Sequence, residues 1–548
     1  MNKETLLNEL DKLFIGDIAE KIVEKVIFTP NTKEELQTAV DLWCKNKVKA
    51  EKKYGNINTW DTSLITDMSY LFNECNNFND DISNWDISNV KDMSSMFDKS
   101  LSFNQNIGNW DVSNVKYMNS MFYSAESFNQ PIGNWDVSNV EDMVNMFGDS
   151  NFNQPLNNWD VSNVRNMGYM FKDATSFNQP LNNWNVSKVI NMNCMFNDAK
   201  LFNHNIGNWN VSNVKNMIGM FYDAKLFNQD LSLWDVSNVK DMSGMFNGAE
   251  LFNQNLSLWN VSNVESMCDM FNYAGSFNQE IESWNVSNVR DMSFMFIDAI
   301  VFNQSLNNWD VSNVKDMSYM FNNTHSFNQD LSLWDVSNVV DMCDMFRCAY
   351  VFNQDIRNWD ISNVKDIHSM FEYATSFNQD ISNWNVSNVE NMAGMFYWAK
   401  SFNQDLSSWD VSNVKDMSYM FHYAKCFNQP LNNWDVSNVK NISHMFSETD
   451  LFNQPLNKWN VSNVKNMCGM FINTKKFNQP LNNWDVRNVE NMCHMFWNSE
   501  KFNQDINNWD VSNVTLLNDV TVINRMFNGS VISKKPIWYL DSNNDNDD

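Results

Sequence analysis

The sequence has no apolar run long enough to cross a bilayer. Its start, MNKETLLNELDKLF, lacks the basic region and apolar stretch of a secretory signal. Both absences predict an intracellular protein that does not insert into membranes. Positive charge is also scarce: 38 Lys and Arg stand against 66 Asp and Glu, a net charge of −28. Such a surface repels a phosphate backbone, which argues against nucleic acid as a partner. The six histidines, His204, His325, His368, His422, His444 and His494, fall on five different repeat positions. No nucleophile–base pair is indicated, so no catalytic, cofactor-binding or metal-binding residue is predicted and the chain reads as a non-enzyme. Cysteine is sparse too, with nine scattered residues, an odd number that fits thiols in a reducing compartment better than a disulfide framework. Cys468 and Cys493 share a position in adjacent repeats, near enough for a bridge, but are expected as thiols.

What is present is one 25-residue phrase, repeated. Phe103–Ser127 reads FNQNIGNWDVSNVKYMNSMFYSAES, and the consensus is F-N-Q-x-L-x-x-W-[DN]-V-S-N-V-K-[DN]-M-x-x-M-F-x-x-A-x-x. Nineteen tryptophans mark the repeats from Trp60 to Trp509. A fixed period of this length is the signature of stacked repeat units that bury a continuous core.

Within each repeat, Trp135-Asp136-Val137 alternates with a period of two, which predicts a short strand. Val140, Met143, Met146, Phe147 and Ser150 follow at spacings of three and four, which predicts a short helix with one buried face. The expected architecture is an α/β repeat solenoid with one short parallel strand and one short helix per coil. Its core would carry a ladder of Trp110, Trp135, Trp159, Trp184, Trp209 and Trp234, beside rows of Met and Phe. The recurrent Phe-Asn-Gln predicts amide ladders between coils. Asp136, Asp160, Asp235, Asp310, Asp335 and Asp360 form a candidate exposed binding face. Asn replaces this Asp at Asn185, Asn210, Asn260, Asn285, Asn385 and Asn460, which favours a hydrogen-bonding role over calcium ligation. A mostly basic column, including Lys116, Lys415 and Lys465, reads as part of a solvated charge lattice.

Residues 1–55 read as a helical N-terminal cap, 56–530 as about nineteen repeats, and 531–548 as a C-terminal cap with an acidic, disordered tail. Two short helices are expected within residues 3–26. A third starts at Thr32, capped by Glu35, presents Leu36, Val40, Trp43 and Val48 on one face, and ends at Gly55. Ile537-Trp538-Tyr539-Leu540 is placed to close the far end, and six extra residues lengthen the last repeat.

The unit L-x-x-W-[DN]-V-S-N-V-x-x-M-x-x-M-F-x-x-A resembles the BspA-type leucine-rich repeat, and in particular its mycoplasma-lipoprotein-type WDVSNVxxM subfamily, over residues 56–530. The TKEELQTAVDLWCKNKVKAEKKYG leader is similar to the caps of protist and giant-virus members. The resemblance implies a leucine-rich-repeat-like solenoid; with the secretory signal missing, it is expected in a host cytoplasm or virion rather than secreted or at a cell surface. It also implies an interaction protein, since bacterial members are often surface adhesins. The expected function is a non-enzymatic scaffold binding a protein or glycan through an exposed face. The alternatives are a structural virion or surface component, and an adaptor docking through residues 1–28.

Overall fold

The computed structural model describes residues 27–514, 526–533 and 535–539. It comprises two compact units, Met1–Asn263 and Val264–Asp548. The helices expected within residues 3–26, the lengthened segment at 515–525 and the acidic tail lie outside the described residues.

The expected α/β architecture is overturned. Among the described residues the helices are α1, Lys33–Lys45, and α2, Lys47–Tyr54, followed by a 3₁₀ turn at Ile57–Thr59. Beyond Thr59 the described residues of the repeats carry neither a named strand nor a helix. Within each unit, successive coils are joined instead by isolated parallel bridges. These run from Asp67–Asp92 to Asn216–Asp241 in the first unit and from Ser266–Asp291 to Asn466–Asn491 in the second.

Each coil is a succession of four-residue turns that begin and end on buried side chains. In the coil around Trp110, N–H groups donate three residues back, from Trp110 to Ile107 (3.1 Å), Val115 to Val112 (2.9 Å), Met121 to Met118 (3.2 Å), Ala125 to Phe122 (3.1 Å) and Phe128 to Ala125 (2.9 Å). All of these residues are buried. The apolar spacing of three and four therefore serves closed turns, with the polar pair between them facing out. The apparent W-D-V strand is the joint between two such turns.

An acceptor side chain stands before three of the turns. Asn106 Oδ1 takes the Gly108 N–H (3.0 Å), Asp111 Oδ1 the Ser113 N–H (3.1 Å), and in the preceding coil Asp92 Oδ1 the Ser94 N–H (2.8 Å). Short carbonyl side chains reach their own backbone two residues on, and Asn serves as well as Asp. This gives the abundance of asparagine a structural cause.

The Met-x-x-Met-Phe-x-x-Ala segment uses a second rule. The third residue of both its turns is left-handed: Ser95 and Lys99 in one coil (φ 54° and 56°), Ser120 and Ser124 in the next (56° and 53°). Among the described residues with positive φ none is Val, Ile or Thr, because a β-branched side chain there collides with its own backbone. The left-handed residues turn alternate peptides toward the neighbouring coil. Met93, Ser95, Phe97 and Lys99 donate to the carbonyls of Tyr117, Asn119, Met121 and Tyr123 at 2.7–2.9 Å, whereas Met96, Asp98 and Ser100 donate within their own coil. Buried backbone groups are thereby paired without strand or helix.

Side chains repeat the same logic. Phe97 and Phe122 stack at 5.7 Å, Trp135 and Trp159 at 6.4 Å, and Trp184 and Trp209 at 6.2 Å. Ladder indoles donate to a carbonyl in the preceding coil, as in Trp135 Nε1 to Ile107 O (3.1 Å) and Trp209 Nε1 to Leu181 O (3.1 Å). The Phe-Asn-Gln segments form the amide ladder: Asn104 Oδ1 accepts from the Asn129 N–H (3.1 Å) and from Gln130 Nε2 (3.0 Å).

At the start, α1 lies against the first coil through Leu36, Ala39, Val40 and Trp43, with Trp43 edge-on to Trp60 at 5.8 Å. Thr32 caps it by accepting from the Glu35 N–H (3.3 Å). Val48, expected on the buried face, is 79% exposed. The helix breaks at Asn46, which ends α1 through its N–H to Leu42 O and caps α2 by accepting from the Lys49 N–H, so the register changes and Ala50 points inward. At the far end Trp538 stacks on Trp509 at 6.3 Å, while Ile537 stays exposed.

Tyr70 is left-handed (φ 62°) and 57% exposed, so its backbone conformation matters more than its side-chain packing. Tyr70→Val is expected to destabilise by about 1–3 kcal/mol, whereas Tyr70→Gly stays within about 1 kcal/mol of the parent. Urea unfolding midpoints of the two variants check the order.

Candidate functional site

The six aspartates of the expected binding face are all exposed. Each is engaged in a turn, with Oδ1 accepting the N–H of the serine two residues on. The distances are 3.1 Å for Asp136, Asp235 and Asp310, and 3.0 Å for Asp160, Asp335 and Asp360. Asn185 makes the same bond to Ser187 (3.2 Å), which accounts for the Asp/Asn exchange. The serine hydroxyl and N–H hold the Asp136 and Asp335 carboxyls below the usual carboxylate range. The basic column pairs with acids one coil away, Lys116 with Glu141 (3.2 Å), Lys465 with Glu490 (2.7 Å) and Lys415 with Glu390. The tryptophans of the ladder, Trp110 to Trp234, are buried and present no surface to a ligand.

Repeat-to-repeat variation concentrates instead on the outward positions of the Met–Phe segment. In the second unit these gather rings. Tyr373, Trp398 and Tyr423 occupy one left-handed column in successive coils and stack at 5.5 and 4.2 Å. Lys400 lies over the Trp398 ring at 4.5 Å and Lys425 over Tyr423 at 4.7 Å. Beside them Tyr397 stacks on His422 (4.9 Å), and Tyr419 on His444 (4.8 Å). Coil stacking thus aligns side chains 25 residues apart into a half-buried aromatic strip. His422 Nδ1 is buried without a hydrogen-bond partner. Burial, with His444 and Lys425 nearby, pushes its imidazole down to about 4.

A charged cluster lies in the same unit. Asp344 is left-handed (φ 54°) and only 2% exposed. Its Oδ2 is 3.1 Å from His368 Nε2, and its Oδ1 accepts from Arg347 Nη1 (3.3 Å). His368 Nδ1 lies 2.8 Å from Asp366 Oδ1, and Arg347 Nη2 lies 3.1 Å from Glu372 Oε1. The two carboxylates, Asp344 foremost, raise His368 to about 10. Burial, followed by Asp344, raises Tyr319 to about 12. Burial also pushes the Cys343 thiol up, and the surrounding aspartates add to it. Residue-by-residue reading missed this cluster. The legible signal was the period, since Cys343 and His368, like Asp341 and Asp366, are 25 residues apart and share a column.

The same spacing joins Cys468 and Cys493, expected as thiols, into a disulfide with Cα atoms 4.7 Å apart. A second disulfide, Cys44–Cys75, ties α1 to the first coil, with Cα atoms 5.9 Å apart. The remaining five cysteines are free. No helix among the described residues is long and apolar enough to cross a membrane.

One family profile matches seven overlapping stretches, residues 43–151, 134–233, 220–334, 252–358, 298–392, 341–450 and 424–535. The chain belongs to the family described as "Mycoplasma protein of unknown function, DUF285". The DUF285 repeat therefore accounts for the 25-residue phrase, and the description carries no activity. No curated protein matches the chain. Among solved structures, the Drosophila Toll–Spatzle complex aligns at 10% identity with a TM-score of 0.21, covering 74% of this chain and 56% of that one. The chain spans only 56% of the matched chain's length.

His422 binds its proton more weakly folded than unfolded, so the unfolded chain takes up the extra proton between pH 6.5 and about 4. Stability from this group is complete above pH 6.5 and falls as pH drops toward 4. The loss approaches the order of 3 kcal/mol. Thermal unfolding midpoints of the parent and His422→Gln are expected to converge as pH falls from 7 to 4.5, since the variant has no imidazole to protonate.

Proposed function

We propose that this DUF285 protein is a non-enzymatic repeat scaffold that holds a protein or glycan partner on the outward positions of its Met–Phe segments. The observation that carries the reading is the strip formed by Tyr373, Trp398 and Tyr423 with Lys400 and Lys425 over its rings. Half-buried aromatic rings offer apolar area at small entropic cost, and their faces suit both sugar rings and apolar side chains. Neighbouring coils lock the rings, so little ordering is left for the binding step. The aspartate row is the weaker candidate for a specific surface, because its carboxylates are engaged in turns and recur with little variation. The adhesin-rich relatives that the WDVSNVxxM phrase resembles are consistent with an interaction role.

Three versions of the chain test this on a glycan array and in affinity capture from the native source: the parent, Trp398→Ala/Tyr423→Ala, and a deletion of residues 1–28. A ligand held by the parent and the deletion but weakened at least tenfold by the double substitution supports the proposal. Equal retention by the double variant overturns it. Loss with the deletion alone transfers the function to the leader.

A further inference from the structure

We propose that Cys343, Asp344 and His368 form a binding site for a divalent transition cation of the Zn²⁺ type. Among the described residues this is the one place where three such ligand atoms converge: the Cys343 Sγ, an Asp344 carboxylate oxygen and a His368 ring nitrogen lie within 4.8 Å of one another. A tetrahedral cation about 2.0–2.3 Å from each ligand needs them about 3.5 Å apart, so from separations of up to 4.8 Å the triad closes by at most about 1.3 Å. Side-chain rotation supplies that without moving the coils.

The donor set selects the metal. Thiolate and imidazole favour zinc and its congeners, whereas magnesium and calcium require oxygen cages. The surroundings have the form of a supported site as well. His368 Nδ1 faces Asp366 Oδ1 at 2.8 Å, which leaves Nε2 for the cation, the carboxylate–histidine–metal relay that orients a ligating imidazole. Arg347 Nη1 holds Asp344 Oδ1 at 3.3 Å and leaves Oδ2 on the side of His368. The guanidinium charge is answered by Glu372 at 3.1 Å.

The charge balance is closed. Both ring nitrogens of His368 face carboxylate oxygens, so both carry protons in the metal-free site. The cation takes the place of the Nε2 proton and of the Cys343 thiol proton. Two protons leave as two positive charges enter, and the half-buried cluster keeps its net charge.

The geometry depends on two adjacent coils. Cys343 and Asp344 stand side by side in one coil, and His368 occupies the Cys343 column in the next. That column holds serine at Ser293 and Ser318, where each hydroxyl donates to the aspartate two residues before it, Asp291 and Asp316, at 2.6 Å. The substitution of Cys343 and His368 into neighbouring coils therefore replaces a turn hydroxyl with metal-ligating atoms twice in succession.

Anaerobic titration of the full-length chain with Co²⁺, without reductant so that Cys44–Cys75 and Cys468–Cys493 stay bridged, tests the proposal. The parent is expected to take one equivalent, with thiolate-to-cobalt absorption in the near ultraviolet that Zn²⁺ abolishes. Cys343→Ser and His368→Gln remove the absorption. Asp366→Asn weakens Co²⁺ binding about 10–100-fold. Cys426→Ser, at an exposed free cysteine, leaves it unchanged. Absence of the absorption in the parent, or its survival in Cys343→Ser, overturns the site whatever the folding of the other variants.

Discussion

Everything in the array depends on one constraint: a backbone that turns every few residues must still pair its buried peptide groups. Turns such as Met118–Met121 pair one N–H internally, and the left-handed residue at their third position hands the others to the next coil. No repeat can satisfy its own backbone, so each coil is folded only in company. Apolar burial and hydrogen bonding then share one spacing, because the residues that close the turns are those that fill the core.

This explains what was legible in the sequence. The period, the buried Trp, Met and Phe columns and the cap at Thr32 could be read from Phe103–Ser127 and its copies, since burial follows composition and spacing. Local conformation could not be read with the same tools. Val140, Met143 and Met146 have the same spacing in a helix and in a chain of turns, and Trp135-Asp136-Val137 alternates in a strand and at a turn junction alike. What discriminates is negative evidence, the lack of Val, Ile or Thr in the left-handed columns. A helix would have tolerated them at exposed positions at modest cost.

The surface followed a similar course. The Asp136 row recurs in every coil as Asp or Asn, and its recurrence marks a turn requirement. Tyr373, Trp398, Cys343 and His368 are isolated departures at positions the consensus leaves open. Aligned in columns, the departures become neighbours, and neighbours in a rigid frame make sites. Asn46, a single residue capping two helices, shows the same limit at smaller scale: its effect on Val48 follows from a change of helical register that no apolar pattern records.

The alternation of intercoil and intracoil hydrogen bonds also bears on how such a gene changes. Loss of a single residue within Met118–Ala125 exchanges every outward donor for an inward one, whereas unequal recombination that removes one whole repeat leaves all donors aligned. Within the Met–Phe segments, the changes that keep this frame are therefore of two forms: whole-coil steps and substitution at outward positions. A new cluster can arise in one coil while its neighbours keep the frame intact.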